Sequence, residues 1–233
     1  MPVRAQLSVG PCGRKGTIIS VSLPNGAVVA AASTYQAPKT VTAITNAAEA
    51  SCSSVAHGLI AGDILEMTSG WSRLNSRIVR VKTATTDAFV LEGVDTSNLN
   101  LYPVGGGAGT VRKILTWVQV TQVLEFTTSG GEQQFVTYSF LEEDVEHQIP
   151  TVKSASSFAM TIGDDASLPW YALLSAANDD RIPRAVRITL PSQSSILYNG
   201  YVTLNKTPTL TKNEIMGLQA TVSLTSEPMR YSA

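Results

Sequence analysis

LTWVQVTQVLEFTTSGGEQQFVTYSFL, Leu115 to Leu141, is the stretch on which the fold turns. In an extended chain Val118, Val120, Leu124 and Phe126 fall on one face, and Gln119, Thr121, Glu125 and Thr127 on the other. Beyond Ser129-Gly130-Gly131, Val136, Tyr138 and Phe140 alternate with Thr137 and Ser139. Alternation of period two puts a dry face on a core and a wet face outward. The stretch predicts one long central β-hairpin whose arms, at about 3.4 Å per residue, reach roughly 40 Å, about twice the usual strand. A hairpin of that reach needs cover for its edges.

The chain around it has 233 residues, enough to bury a core in one or two domains. Charged residues make up 15% and the formal net charge is -1, which argues against a binder of nucleic acid or membranes held by basic charge. Cys12 and Cys52 lie in different segments without a CxxC partner, so free thiols are expected rather than a disulfide scaffold. The apolar run Ala27 to Ala32 is shorter than a signal-peptide core, and nothing approaches the ~20 apolar residues of a membrane span. The expectation is a soluble product made in the cytoplasm.

Upstream of the hairpin, Thr17 to Leu23 reads as a strand, Pro24-Asn25-Gly26 as a turn and Ala27 to Thr34 as its partner. From Lys39 to Lys113 short β segments follow one another: Asp63 to Thr68, Arg77 to Lys82 and Asp87 to Glu92. Their spacing predicts a small all-β module, 39–113, inserted into a discontinuous β domain of 1–38 and 114–233. It ends in the Gly-rich Tyr102 to Gly109, read as a flexible exit, since no Lys-Ser/Thr or GxGxxG spacing supports a phosphate loop. Downstream, Glu142 to His147 forms an acidic loop closed by Pro150, and Val152 to Ile162 resumes as strand. One helix is predicted after Asp164: Ser167 as N-cap, Pro169 in the first turn, and Trp170, Leu173, Leu174 and Ala177 recurring at i, i+3, i+4 and i+7. Ala185 to Leu190, Ile196 to Leu204 and Gly217 to Thr225 return to β.

The search for chemistry is nearly empty. His57 and His147 stand in no HExxH and beside no clustered cysteine, so no metal site is expected; His57 is assigned to a turn. No GxSxG elbow occurs, Asp164-Asp165 and Asp179-Asp180 lack calcium-loop spacing, and neither catalysis nor a cofactor is expected. Arg73, Arg77, Arg80 and Lys82 form a basic cluster, read as a solvated face balanced by Asp63, Glu66, Asp87 and Glu92, with a phosphate or partner contact as the alternative. An absence is more informative. No Lys or Arg occurs between Lys113 and Lys153, whereas Glu125, Glu132, Glu142, Glu143, Asp144 and Glu146 do. DNA is gripped by basic contacts that release counterions, and a wall of Gln, Thr, Ser and Glu offers none. The alternative is an acidic loop beside an ordinary strand pair.

The hairpin, the helix around Pro169-Trp170-Tyr171-Ala172-Leu173-Leu174, and the run from Asn199-Gly200-Tyr201-Val202 through Gly217 to Pro228 resemble the major tail tube proteins of long-tailed bacteriophages with lambda-like, non-contractile tails. The module with His57-Gly58-Leu59 and Ser69-Gly70-Trp71-Ser72-Arg73-Leu74-Asn75 is similar to β modules of phage tail proteins. The resemblance implies a mainly β subunit, a two-sheet β-sandwich or barrel with one flanking α-helix. It implies a structural virion protein, not an enzyme, forming hexameric rings that stack into a tube around a channel for DNA. The expected lumen set is Gln119, Thr121, Glu125, Thr137, Gln219 and Thr221; Glu142, Glu143, Asp144, Glu146 and His147, with Pro2 to Lys15, are the expected loops to an adjacent ring; Trp170, Leu173 and Leu174 pack the helix on a sheet. Implied partners are further copies of the chain, a tape measure protein, a tail terminator, a distal tail protein and DNA in transit, with no membrane. The module 39–113 is a departure from a minimal tube subunit and is expected outside the ring or at its interface. The alternative function is a tail-tip or surface module recognising a glycan or protein receptor, with Trp71 or Tyr102 against the sugar.

Overall fold

A computed structural model describes residues 24–233. The expected strand Thr17 to Leu23, the N-terminal loop Pro2 to Lys15 and Cys12 lie outside the described residues. After the Pro24 to Gly26 turn, closed by Ala27 N–H donating to Pro24 O, comes β1 (Val28–Tyr35). The next segment contributes β2 (Lys39–Val41), β3 (Ala43–Ile44), β4 (Ser51–Ser53), β5 (Ile64–Ser69), β6 (Ile78–Ala84) and β7 (Ala88–Leu91). The central stretch gives β8 (Gly109–Val120), β9 (Val123–Ser129), β10 (Gln133–Tyr138) and β11 (His147–Lys153). Then follow β12 (Ser157–Gly163), α1 (Pro169–Asp180), β13 (Arg184–Thr189), β14 (Ser195–Thr209), β15 (Gly217–Leu224) and β16 (Met229–Tyr231).

The protein is mainly β. One curled sheet runs β3-β4-β7-β6-β5-β8-β1-β13-β14-β15-β12-β9, with β16 on β14 and β2 on β8, and β10-β11 form a separate two-stranded ribbon. Here the expected pairing of the central hairpin is corrected. Its two arms are strands, but they do not pair with each other: β9 lies antiparallel to β12 (Phe126 opposite Met160, Thr127 opposite Ala159), and β10 lies antiparallel to β11 (Val136 opposite Ile149). Two local causes are visible. The first arm breaks between β8 and β9, where Gln122 adopts φ 62°, and the Phe126 ring stacks on Phe158 with centroids 4.9 Å apart. The turn at Gly130 also has φ 78°, and a Cβ there would meet Ala155 O at 2.0 Å, so only glycine lets the chain leave the sheet at this point. The segment Val152 to Ile162, expected as one strand, is correspondingly two, with β11 ending in the ribbon and β12 beginning in the sheet.

Two apolar clusters fill the body. In β1, Ala32 belongs to one and Val29 and Ala31 to the other; in β13, Ala185 belongs to the first and Val186 and Ile188 to the second. The β1-β13 layer therefore contributes to both clusters, which is why β1 reads as an unbroken apolar run from Val28 to Ala32 instead of alternating. On one side lie Leu65, Met67, Trp71, Val79, Phe89 and Leu91 from residues 39–113. On the other lie Phe158, Met160, Ile162, Val202, Leu204, Leu218, Ala220 and Val222, with Trp170, Leu174 and Ala177 of the helix.

Polar contacts fasten the first side. Arg112 donates to Glu66 at 2.7 Å and its guanidinium lies 4.3 Å from the centre of the Tyr35 ring, while Tyr35 Oη accepts from Ala185 N–H at 3.0 Å. Buried Asn199 donates to Ser76 O at 2.8 Å. The chain end is held by Arg80, which makes a two-pronged contact with Glu92 and stacks on Tyr231. Of the expected balance of the basic cluster, the Arg80–Glu92 pair forms, whereas Lys82 pairs with Glu49, and Glu66 and Asp63 pair with Arg112 and Lys113 outside the cluster. The Gly-rich exit is packed rather than open. Trp71 Nε1 donates to Pro103 O at 2.8 Å, and a Cβ at Gly107 would lie 2.9 Å from the Trp71 ring.

The helix departs from expectation at its start. Leu168, not Ser167, is the N-cap and no side chain caps it, because Asp165 accepts from the Ser167 amide and hydroxyl in a local turn. Trp170 and Leu174 are buried and Leu173 is half-buried against the second cluster. At the other end Asn178 Oδ1 accepts from Leu204 N–H at 3.1 Å, covering a backbone donor of β14 beyond the end of its pairing with β13.

Two outcomes follow from this packing. Burial pushes the Cys52 thiol up to about 12, so in a Cys12→Ser variant Cys52 reacts with a disulfide reagent at pH 8 only after denaturant is added; rapid labelling of the folded protein contradicts its burial. The hydrogen bond from Arg80 holds the Glu92 carboxyl below its ordinary 4.5, opposed by partial burial. A carboxyl depressed on folding stabilises above its unfolded value and loses that contribution as the pH falls through the folded one. Glu92→Gln is thus expected to lower the urea midpoint at pH 7, with the gap to the native sequence closing below about pH 4; a gap independent of pH counts against the pair.

Candidate channel and assembly surface

The antiparallel registers define one polar face. Asn205 lies opposite Gln219, Gln219 opposite Thr161 and Thr161 opposite Glu125. The next row is Thr203, Thr221, Ala159 and Thr127, and the next Tyr201, Ser223, Ser157 and Ser129. Between these rows the same strands send Leu204, Ala220, Met160 and Phe126, then Val202, Val222 and Phe158, into the second cluster. Period-two alternation thus yields a sheet with a dry inner face and an outer face of hydroxyls and amides. Those three rows contain one charge, Glu125, and no Lys or Arg.

Of the six expected lumen residues, the structure brings Glu125, Gln219 and Thr221 onto this face. Gln119 lies on β8 opposite Ala30, and Thr121 stands in the break after β8 with its hydroxyl buried and unpartnered. Both border a separate cleft with Val28, Val29, Ile188 and Tyr198. Thr137 is on the ribbon, opposite Gln148. Leu124, expected on the dry face, is 50% exposed, because the register to β12 slips between Val123 and Glu125 and the bulge turns it outward. The expectation did not include Thr161, Ser157, Thr203 or Asn205. Their signal was present, since Phe158, Met160 and Ile162 alternate with Ser157, Ala159 and Thr161.

This sheet is open at its edge. Among the described residues β9 pairs on one side only, and the backbone donors and acceptors of its other side are a template for pairing. The ribbon is the second unsatisfied element. It is tied at its base by Ser154 N–H donating to Glu132 O at 2.8 Å and by Lys153 to Glu227 at 2.9 Å. Beyond that, Phe135, Val136, Phe140, Val145, Ile149 and Val152 are exposed, and Leu141 is as open as in an extended peptide. Contiguous exposed apolar side chains on a two-stranded ribbon mark a contact surface. Its tip carries Glu142, Glu143, Asp144 and Glu146, and His147 Nε2 lies 3.0 Å from Glu143 and next to the Tyr138 ring.

Among the described residues no group of three His, Cys, Asp or Glu side chains could hold a metal ion. His57 sits in a turn, as expected, buried against Phe89 with Nδ1 accepting from Leu59 N–H at 2.9 Å. Trp71 and Tyr102 pack edge to face at 5.2 Å and are both buried, so neither offers a sugar a platform.

A model of the phage tail tube protein (TTP) family matches residues 69–233, which include every strand of the polar face, the helix and the ribbon. The match begins inside the segment 39–113. No curated protein matches the chain.

The assignment of faces can be checked in the isolated chain. Phe126→Ala is expected to cost about 1–2 kcal/mol for a half-buried ring, whereas Thr127→Ala and Gln219→Ala on the opposite face stay within about 0.5 kcal/mol. A larger loss at Thr127 and Gln219 than at Phe126 in urea melts would mean that the two faces are interchanged, and equal losses would contradict the dry and wet assignment.

Proposed function

Since the chain belongs to the phage tail tube protein family, a structural component of the virion tail, we propose that its polar face lines the channel of a tube built from stacked hexameric rings. The observation that carries this reading is the pairing of two properties in one sheet: a wet face without a cation, and an edge that no strand among the described residues covers. Edge-to-edge joining of β9 to a neighbour's sheet satisfies the backbone and closes a barrel, removing free edges. Closure sets the polar face inward, where DNA moves past amides, hydroxyls and one carboxylate per subunit without the basic contacts that hold it through counterion release.

The layering supports the placement of the rest. Residues 39–113, read as an inserted module, pack on the far side of the β1-β13 layer from the polar face, which puts them on the outside of the tube. The ribbon reaches the adjacent ring, where copies bury its apolar side chains. Head-to-tail contacts of this kind are heterologous and extend without closing. Tape measure protein, tail terminator and distal tail protein belong to the same reading, at the tube's interior and its two ends.

Lysine on the face tests the channel. Glu125→Lys with Thr221→Lys is expected to leave tubes intact by negative-stain microscopy and to slow DNA ejection several-fold at low salt, the effect shrinking as salt rises. Ejection at the native rate with both lysines present removes this face from the channel.

A further inference from the structure

Beside the base of the ribbon lies a cleft of about 490 Å³, bordered by Gly131, Lys153, Ala155, Leu224, Ser226 and Pro228. Ala155, Leu224 and Pro228 give it an apolar floor. Its rim is basic. Lys153 projects to Glu227 at 2.9 Å, and the segment carrying Arg73 and Arg77 is fastened alongside by Ser226 Oγ donating to Ser76 O at 3.0 Å. The hydrogen bond from Lys153, with the nearby Arg77 and Arg73, holds the Glu227 carboxyl below its usual range. Three cations thus surround one carboxylate, and Arg77 Nε is enclosed without a hydrogen-bond partner. The ribbon's other end has the opposite character: Glu142, Glu143, Asp144 and Glu146 beside exposed Phe140, Leu141 and Val145, with only His147 in contact with a carboxylate.

We infer that the ribbon tip, residues 140–146, docks in the ribbon-base cleft of a second copy of the chain, carboxylates against Arg73, Arg77 and Lys153 and an apolar side chain on the floor. The inference rests on the assembly reading above and adds the receiving surface. Charge complementarity selects the occupant, because the tip carries four carboxylates while the rim gathers Lys153, Arg73 and Arg77 about the single carboxylate of Glu227, leaving a net positive charge, and opposite charge across a contact fixes register and rejects wrong partners. Tip and cleft lie at opposite ends of one ribbon, roughly 25 Å apart for strands of this length. They therefore meet between copies rather than within one, and each copy offers one tip and one cleft, the requirement for unbounded head-to-tail growth.

The experiment is a charge swap in the full chain, read as the protein concentration at which tubes pellet. Arg73→Glu with Lys153→Glu, or Glu142→Lys with Asp144→Lys, is expected to raise that concentration about tenfold or more; the four changes together bring it back toward the native value. Arg73→Gln, which adds no repulsion, reads the same contact by a smaller rise if the reversed cleft fails to fold. Failure of the fourfold swap to restore assembly, or no rise with Arg73→Gln, overturns the docking site. If the reversed cleft assembles normally while a chain with 140–146 replaced by Gly and Ser does not, the tip docks elsewhere and the assembly reading stands. Native tubes from the Gly/Ser chain end both.

Discussion

Double burial of β1 is the constraint on which the layering depends. Ala30, Ala31 and Ala32 are nearly sealed from solvent, and their small side chains leave room for larger ones to pack from both sides of the strand. Residues 39–113 occupy one side and the helix with the β12, β14 and β15 side chains the other. With β1 closed on both faces, β12, β14 and β15 keep their other face for water, and that face is the one with hydroxyl and amide rows. A bulky substitution at Ala31 would force these layers apart, an overpacking cost of typically 1–3 kcal/mol.

What the subunit leaves unsatisfied follows from the same layering. Two apolar clusters fill the core, buried Glu66 is paired with Arg112, and the β14 donor at Leu204 is taken by Asn178. The open edge of β9, the apolar sides of the ribbon and the basic rim at the ribbon base remain. In the proposed tube all three would meet further copies of the chain, so that features that are liabilities in a monomer become contacts of the assembly.

Much of this was legible in the sequence. Alternation gave most of the strands and the dry and wet faces of β15, and the i, i+3, i+4 pattern with Pro169 gave the helix. Pairing partners were not legible, because Val, Thr and Phe alternate equally well in strands that pair and strands that part. Gly130-Gly131 reads the same whether the chain turns back on itself or leaves the sheet, and only the Ala155 carbonyl 2.0 Å from a would-be Cβ distinguishes the two. The bulge at Leu124 changes faces within one residue, which periodicity carries no sign of. The basic rim joins Arg73, Arg77, Lys153 and Glu227, residues far apart in the chain, and no local pattern announces it.

The central claim is that the face containing Glu125, Thr161, Gln219 and Asn205 looks into the channel. Electron cryomicroscopy of tubes assembled from the purified chain measures this directly. The account predicts a continuous inner barrel in which β9 pairs with a neighbouring subunit, those four side chains point to the lumen, and residues 39–113 lie outside. Tubes with that face on the outer surface, or buried between rings, contradict it.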